Sequence, residues 1–269
     1  MKVYTAIPLL LMMGLGACAP RPPQMEVTRA AQPAPLPYVA PDKLALYQGM
    51  QDGDHWVEAV PRKYLTPDTV RQEVDYWTDE KPGTIIVDPW DKYLYLVEAD
   101  NRAMRYAVAV GEAGRAFSGN AIIPYGREWP RWTPTPGMIR REPEKYEPLK
   151  AGMDGGPDNP LGARALYLHR DGKDTLYRIH GTPYPWSVGH AASSGCIRLY
   201  EQDIIDLYSR VSKGNTRVIV LTEAEAGKGT YPPGQEPARI TSATLSDAPV
   251  STLSGYSSTP AIEDGDSYQ

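Results

Sequence analysis

The chain has 269 residues, 41% of them hydrophobic, which is enough for one good-sized domain. Its formal net charge of −5 and the lack of any run of Lys and Arg leave no electrostatic case for a nucleic-acid partner. The 27 prolines are unevenly spread and mark the two ends of the chain as poor in core-forming sequence.

Residues 1–17 carry one basic residue, Lys2, then an apolar run over 7–15 and the small pair Gly16-Ala17. That is the pattern of a secretion signal. The apolar run is too short to cross a hydrocarbon layer of about 30 Å as a helix. Leu15-Gly16-Ala17-Cys18 resembles the bacterial lipobox, which implies diacylation of Cys18 on sulfur and a new N-terminus at that residue. Several acyl chains, at about 0.8 kcal/mol per buried methylene, hold a protein on a membrane essentially permanently. Ala19 supplies no acidic retention cue, so the resemblance implies a periplasmic, lipid-anchored protein at the outer rather than the inner membrane. Residues 18–60, opening on a Pro-, Ala- and Gln-rich stretch, are expected to be the linker from that anchor.

Thr66-Pro67-Asp68 reads as a capped helix start, with Val70, Val74 and Trp77 along one face, and predicts a short helical lead-in over 61–82. From Gly83 the signals turn to strand. Segments 84–87, 93–97 and 104–110 are rich in β-branched and aromatic residues and are separated by Asp88-Pro89 and by 98–102. Segments 165–168 and 175–180 flank Asp171-Gly172 as a hairpin, and 216–221 closes the series. Ile204, Leu207, Tyr208 and Val211 recur at i, i+3, i+4, i+7 and predict an amphipathic helix over 201–211 that ends before Gly214. The fold class is therefore mainly β with one or two helices (α+β), centred on a domain over 83–222. Residues 223–269, rich in Ser, Thr, Gly and Pro, lack material for a core and are expected to be a disordered tail.

The chemistry lies in Ser193-Ser194-Gly195-Cys196-Ile197-Arg198, where Cys196 follows by sixteen positions the His180 of Ile179-His180-Gly181-Thr182. With Cys18 consumed by lipid, Cys196 has no partner for an internal disulfide, and an unpaired thiol in an oxidising compartment is a liability that function usually explains. A thiol is a nucleophile only as thiolate, and a nearby imidazole is the usual means of making one near neutral pH. Ser, Ser and Gly are turn formers and place Cys196 on a loop just ahead of the 201–211 helix. A helix start close to the thiol would lower its pKa through the positive end of the macrodipole.

His180-Gly181-Thr182, then Ser193-x-Gly195-Cys196-Ile197-Arg198-Leu199, then Asp203 and a helix resemble the L,D-transpeptidase catalytic domain, also called the YkuD domain. Trp132-Thr133-Pro134-Thr135-Pro136, Asn159-Pro160-Leu161-Gly162 and Ala165-Leu166-Tyr167-Leu168 extend the likeness over about 83–221. The resemblance implies a β-rich, sandwich-like fold acting on peptidoglycan stem peptides. In that family a cysteine attacks the carbonyl of the third stem residue and expels the terminal D-alanine. The thioester then passes to an amine or to water; an amine of a second stem gives a cross-link, and that of an outer-membrane protein gives anchoring.

Carried onto this chain, the resemblance makes Cys196 the nucleophile, His180 its proton acceptor and donor, and the backbone N–H groups at Gly195 and Cys196 the oxyanion donors. Arg198 matches the family's arginine after the cysteine and would grip a substrate carboxylate, with Ser193, Ser194 and Gly181 as further substrate contacts. No cofactor and no metal are implied. Many members have histidine directly before Gly-Cys where this chain has Ser194; a hydroxyl there still donates a hydrogen bond. That departure keeps a non-catalytic wall-binding module in contention, and a cysteine L,D-endopeptidase or carboxypeptidase is the rival enzyme.

The other candidates weigh less. His190 lies between the two motifs as a second base or a solvated side chain, His169 reads as a strand end and His55 as surface. Zinc on Cys196, His180 and His190 would need a fourth ligand or an open water position, and neither a second cysteine nor a close carboxylate pattern is nearby. Tyr184, Pro185 and Trp186 are read as a lid or as packing, the glycines of 152–162 as a flexible loop near the site, and Asp203 as a first-turn helix charge.

Overall fold

The structure is a computed structural model that describes residues 36–111, 117–191, 195–211 and 214–237. The expected signal, Cys18, the first part of the linker and the end of the tail lie outside them. In chain order a helical turn Pro41–Ala45 is followed by the strands β1 (Met50–Asp52), β2 (His55–Val57) and β3 (Gln72–Asp75). Then come β4 (Ile85–Asp88), β5 (Tyr93–Val97), β6 (Arg102–Ala107), β7 (Ala109–Val110), β8 (Gly119–Ile123) and β9 (Gly126–Glu128). Short helices Pro136–Arg141 and Pro143–Tyr146 precede β10 (Arg164–Arg170) and β11 (Lys173–His180). The chain continues through β12 (Ile197–Arg198), a helix Glu201–Arg210 and β13 (Thr216–Val220).

The fold is mainly β. One hydrogen-bonded path runs β3-β6-β5-β4-β13-β8-β10-β11-β12-β7, with β9 paired to β10. Only Val108 separates β6 from β7 in sequence, yet β6 pairs near one end of the path and β7 closes the other. The sheet must therefore bend back on itself, and its two arms share one core. Ile85, Val87, Leu94 and Leu96 from the first arm meet Leu166, Leu168, Ile179 and Ile197 from the second, with Ile204 and Leu207 of the long helix packed among them. The i, i+3, i+4 stripe of that helix is this contact. Along β11 the residues pass from exposed at Lys173 to buried at His180, so the strand carries its chemistry from the Asp171-Gly172 turn into the interior.

Three expectations are corrected. Residues 36–60 of the expected linker are packed: Tyr47, Val57 and Val60 are buried, and Tyr47 and Val60 form a second core with Leu65, Val70, Val188 and Tyr200. The 66–70 segment makes a single turn (Val70 N–H to Thr66 O, 3.1 Å) and then β3, which pairs antiparallel with β6. Its alternating exposure has the strand period, and the ladder supplied by β6 outweighs the local helix signal. The first part of the expected tail is tied down, because Gly227 donates to Asp88 at 2.6 Å and Trp77 donates to the Gly229 carbonyl at 2.8 Å.

The segment 36–71 is bolted to the sheet by polar contacts. Asp203, wholly buried at the start of the long helix, accepts from Arg71 (2.8 Å) and from the Tyr47 hydroxyl (3.2 Å). Burial pushes this carboxyl up to about 7, against the pull of Arg71 and Tyr47. Asp52 takes Arg164 in two parallel bonds of 2.7 and 2.8 Å, and the Trp129 ring N–H at 2.9 Å. Those bonds, led by Arg164, hold Asp52 below the usual carboxylate range. Replacing Asp52 by Ala strips the two-pronged counter-ion from an Arg164 that is only 7% exposed, leaving it Glu128 at 3.8 Å, and the expected loss in denaturant unfolding is about 3 kcal/mol. A carboxyl held low contributes stability above its unfolded pKa, so the gap between D52A and wild type should close as pH falls through and below the ordinary value of 3.8.

Candidate active site

β11 and β12 run parallel, with Ile179 beside Ile197 and His180 beside Arg198. Both isoleucines point into the main core, at 0% and 3% exposure. Strand alternation then puts Arg178 and His180 of β11 on the opposite face, together with Arg198 and, one step before β12, Cys196. Cys196 is level with Arg178, whose backbone N–H hydrogen-bonds it. His180 and Cys196 are diagonal neighbours on that face, one strand and two residues apart. Both groups sit in the field of the same two guanidiniums, Arg178 and Arg198. Gly195 holds φ +132°, a backbone conformation that side-chain-bearing residues rarely adopt, and turns the chain into Cys196.

Burial decides the protonation of the pair. His180, 3% exposed, is pushed down to about 3, first by desolvation and then by Arg198; the Gly181 and Leu161 carbonyls pull the other way. Nδ1 lies 2.6 Å from the Gly181 carbonyl oxygen. A carbonyl only accepts, so Nδ1 carries the hydrogen in that contact. Half-buried Cys196 is pushed up by desolvation, and the Arg178 N–H with the two arginine charges offset part of that. The resting pair is a neutral thiol and a neutral imidazole.

The expected help from a helix is absent. β12 stands between Cys196 and the helix that starts at Glu201, and the four residues to the N-cap Tyr200 span about 13 Å when extended. The helix field fades within its first turn. Alkylation of Cys196 by iodoacetamide, followed by intact mass, should therefore rise about tenfold per pH unit from pH 6 to 8 with no plateau; a plateau in that range would mean a preformed thiolate.

Other sequence candidates are scattered. Ser193 and Ser194 lie outside the described residues. His190 is exposed in the turn after 185–187, His55 packs on Trp129 at 4.3 Å, and His169 lies edge-on to Tyr125 at 5.8 Å on β10. Asp203 lies in the first turn of the long helix, as expected, and is also the buried anchor of the N-terminal segment. The 152–162 loop is pinned, because the buried Asn159 amide donates to the carbonyls of Pro130, Met153 and Asp154. Tyr184 faces Arg198 along with Tyr146 of the short helices. Trp186 instead lines a cleft of about 350 Å³ with Trp56, Glu58, Trp129, Asp158 and Glu201.

Two residues escape the sequence reading. Arg178 is signalled only by its place two positions before His180 on one strand face. Glu201 looks like any first-turn acid, yet desolvation pushes its carboxyl up to about 7.

The sequence profile of the L,D-transpeptidase catalytic domain (YkuD) matches residues 82–220. The chain belongs to the L,D-transpeptidase catalytic domain family. The probable L,D-transpeptidase ErfK/SrfK of Escherichia coli (strain K12) is 35% identical over 61% of this chain and 48% of its own length. The probable L,D-transpeptidase YbiS of the same strain is 32% identical over 61% of this chain and 49% of its own. The chain thus spans about half the length of these curated relatives. A solved structure from Brucella melitensis, described as a probable carnitine operon oxidoreductase, is 52% identical over 59% of this chain and 98% of that chain, with a TM-score of 0.41. That description is a statement about the Brucella protein, and a superposition this loose carries no argument. The YkuD family match contains every residue of the β11/β12 face.

Proposed function

We propose that the protein is an L,D-transpeptidase that acts on peptidoglycan stem peptides through an acyl-enzyme on Cys196. The observation that supports this best is the shared face of β11 and β12, where Cys196 and His180 lie diagonally under Arg178 and Arg198 in a chain of the YkuD family. Arg198 and Arg178 supply the positive charge that holds a stem carboxylate. Nε2 of His180 takes the thiol proton as sulfur attacks the carbonyl of the third stem residue. The oxyanion is received by the backbone N–H groups at Gly195 and Cys196. As the C–N bond breaks, the same proton passes from His180 to the departing D-alanine nitrogen, leaving a thioester. An amine of a second stem or of an outer-membrane protein then attacks, giving its proton to His180; the C–S bond breaks, and the sulfur recovers that proton. Water in place of the amine gives hydrolysis.

Because both groups rest neutral, proton transfer and attack are coupled, and the base matters to the acylation step itself. Full-length protein without its signal should gain one carbapenem or tetrapeptide-derived acyl group by intact mass, Cys196→Ala none, and His180→Gln at least about 100-fold more slowly. Release of terminal D-alanine from defined muropeptides is expected; cleavage within a cross-link would make the protein an endopeptidase, and no adduct at all would make it a binding module.

The lipobox-like Leu15-Gly16-Ala17-Cys18 supports a periplasmic location on a lipid anchor, at the outer membrane because Ala19 is not acidic. Cys18→Ala should move the protein from the outer-membrane fraction to another one, and unchanged fractionation with no acyl mass on residue 18 would remove the anchor.

A further inference from the structure

Glu201 is half-buried, its carboxyl set in a cradle that only glycine permits. Its Oε2 accepts the Ala163 N–H at 2.8 Å. A Cβ on Gly162 would stand 2.1 Å from Oε1, and one on Gly181 would stand 2.2 Å from Oε2. Gly162 also holds φ +63°. The carboxyl is thus wedged between two backbone segments that are also joined just beyond it by the β10/β11 ladder, where the Gly181 N–H donates to the Arg164 carbonyl at 3.1 Å. One segment is 161–163 and the other is the end of β11 at 180–181. Each supplies one of the two carbonyls that face the imidazole, Leu161 from the first and Gly181 from the second.

We propose that Glu201 is a positioning residue for His180. By filling the gap between the 161–163 segment and Gly181, alongside the β10/β11 ladder, it keeps the Gly181 carbonyl on Nδ1 and so favours the tautomer that leaves Nε2 to take the thiol proton. The inference rests on the reading of His180 as the proton carrier. An acid at a helix start needs no burial to favour the helix dipole, and desolvating a carboxyl is costly. The cradle is what the burial achieves. The charges that reach Glu201 are Arg164 and Asp52, one of each sign, so neither imposes the position.

The test is ¹⁵N–¹H correlation of the imidazoles in ¹⁵N-labelled full-length protein lacking its signal, with His180 assigned through His180→Gln. Wild type should show a single neutral Nδ1–H form at pH 7. Glu201→Ala should show mixed tautomers and a roughly tenfold slower acylation of Cys196 by a carbapenem. Glu201→Gln keeps an oxygen for the Ala163 N–H and should recover both. Glu201→Asp, one methylene short of that N–H, should behave like the alanine variant and serves if the alanine variant does not fold. A pure Nδ1–H signal in Glu201→Ala or Glu201→Asp would overturn the proposal. If wild type itself is not acylated, the proposed function fails while the tautomer spectra still decide the role of Glu201.

Discussion

The parallel pairing of β11 with β12 in the register Ile179 to Ile197 is the constraint on which the rest of the molecule hangs. A slip of one residue would send Cys196 and Arg198 into the hydrophobic core and bring isoleucine to the reacting face. The register is protected from both sides. Beneath, two isoleucines fill the main core; beyond, Leu199 donates to the His180 carbonyl at 2.9 Å and β7 closes the outer edge of β12. A two-residue strand could not hold such an alignment alone. It does so because the bent sheet brings β7 round to meet it, and the long helix, entered three residues after Arg198, is packed into the same core.

The site is a case of burial outweighing charge. Two guanidiniums near a thiol would ordinarily favour thiolate, yet desolvation dominates at Cys196 and at His180 alike. A carboxylate arriving between the arginines would replace lost hydration and lower the local positive potential. Their field raises the cost of an imidazolium until that negative charge is present, so binding and base strength are linked through ordinary electrostatics.

Much of this was legible in the sequence where the relevant physics is local. Alternating β-branched and aromatic residues gave 93–97 as a strand, the Asp171-Gly172 pair gave the turn between β10 and β11, and the 3.6-residue stripe gave the long helix. His180, Cys196 and Arg198 stood out by motif. What stayed hidden is non-local. Tyr47 and Val60 look like stray apolar residues behind a proline-rich stretch until Tyr200 and Val188 are placed against them. Arg71 and Asp203, 132 positions apart, read as surface charges until they meet. β8 and β9 are short and flanked by Gly119, Pro124 and Gly126, so their strand character comes from pairing with β13 and β10 rather than from composition. Glu201 has no local signal, because its role depends on the missing side chains of Gly162 and Gly181.

The uncharged resting state of Cys196 bears on endurance as well as turnover. Peroxide and small disulfides attack the sulfur anion far faster than the protonated form. A thiol that stays protonated until a ligand arrives is shielded from idle oxidation. Burial at Cys196 thus exchanges ease of activation for resistance of the sulfur to damage.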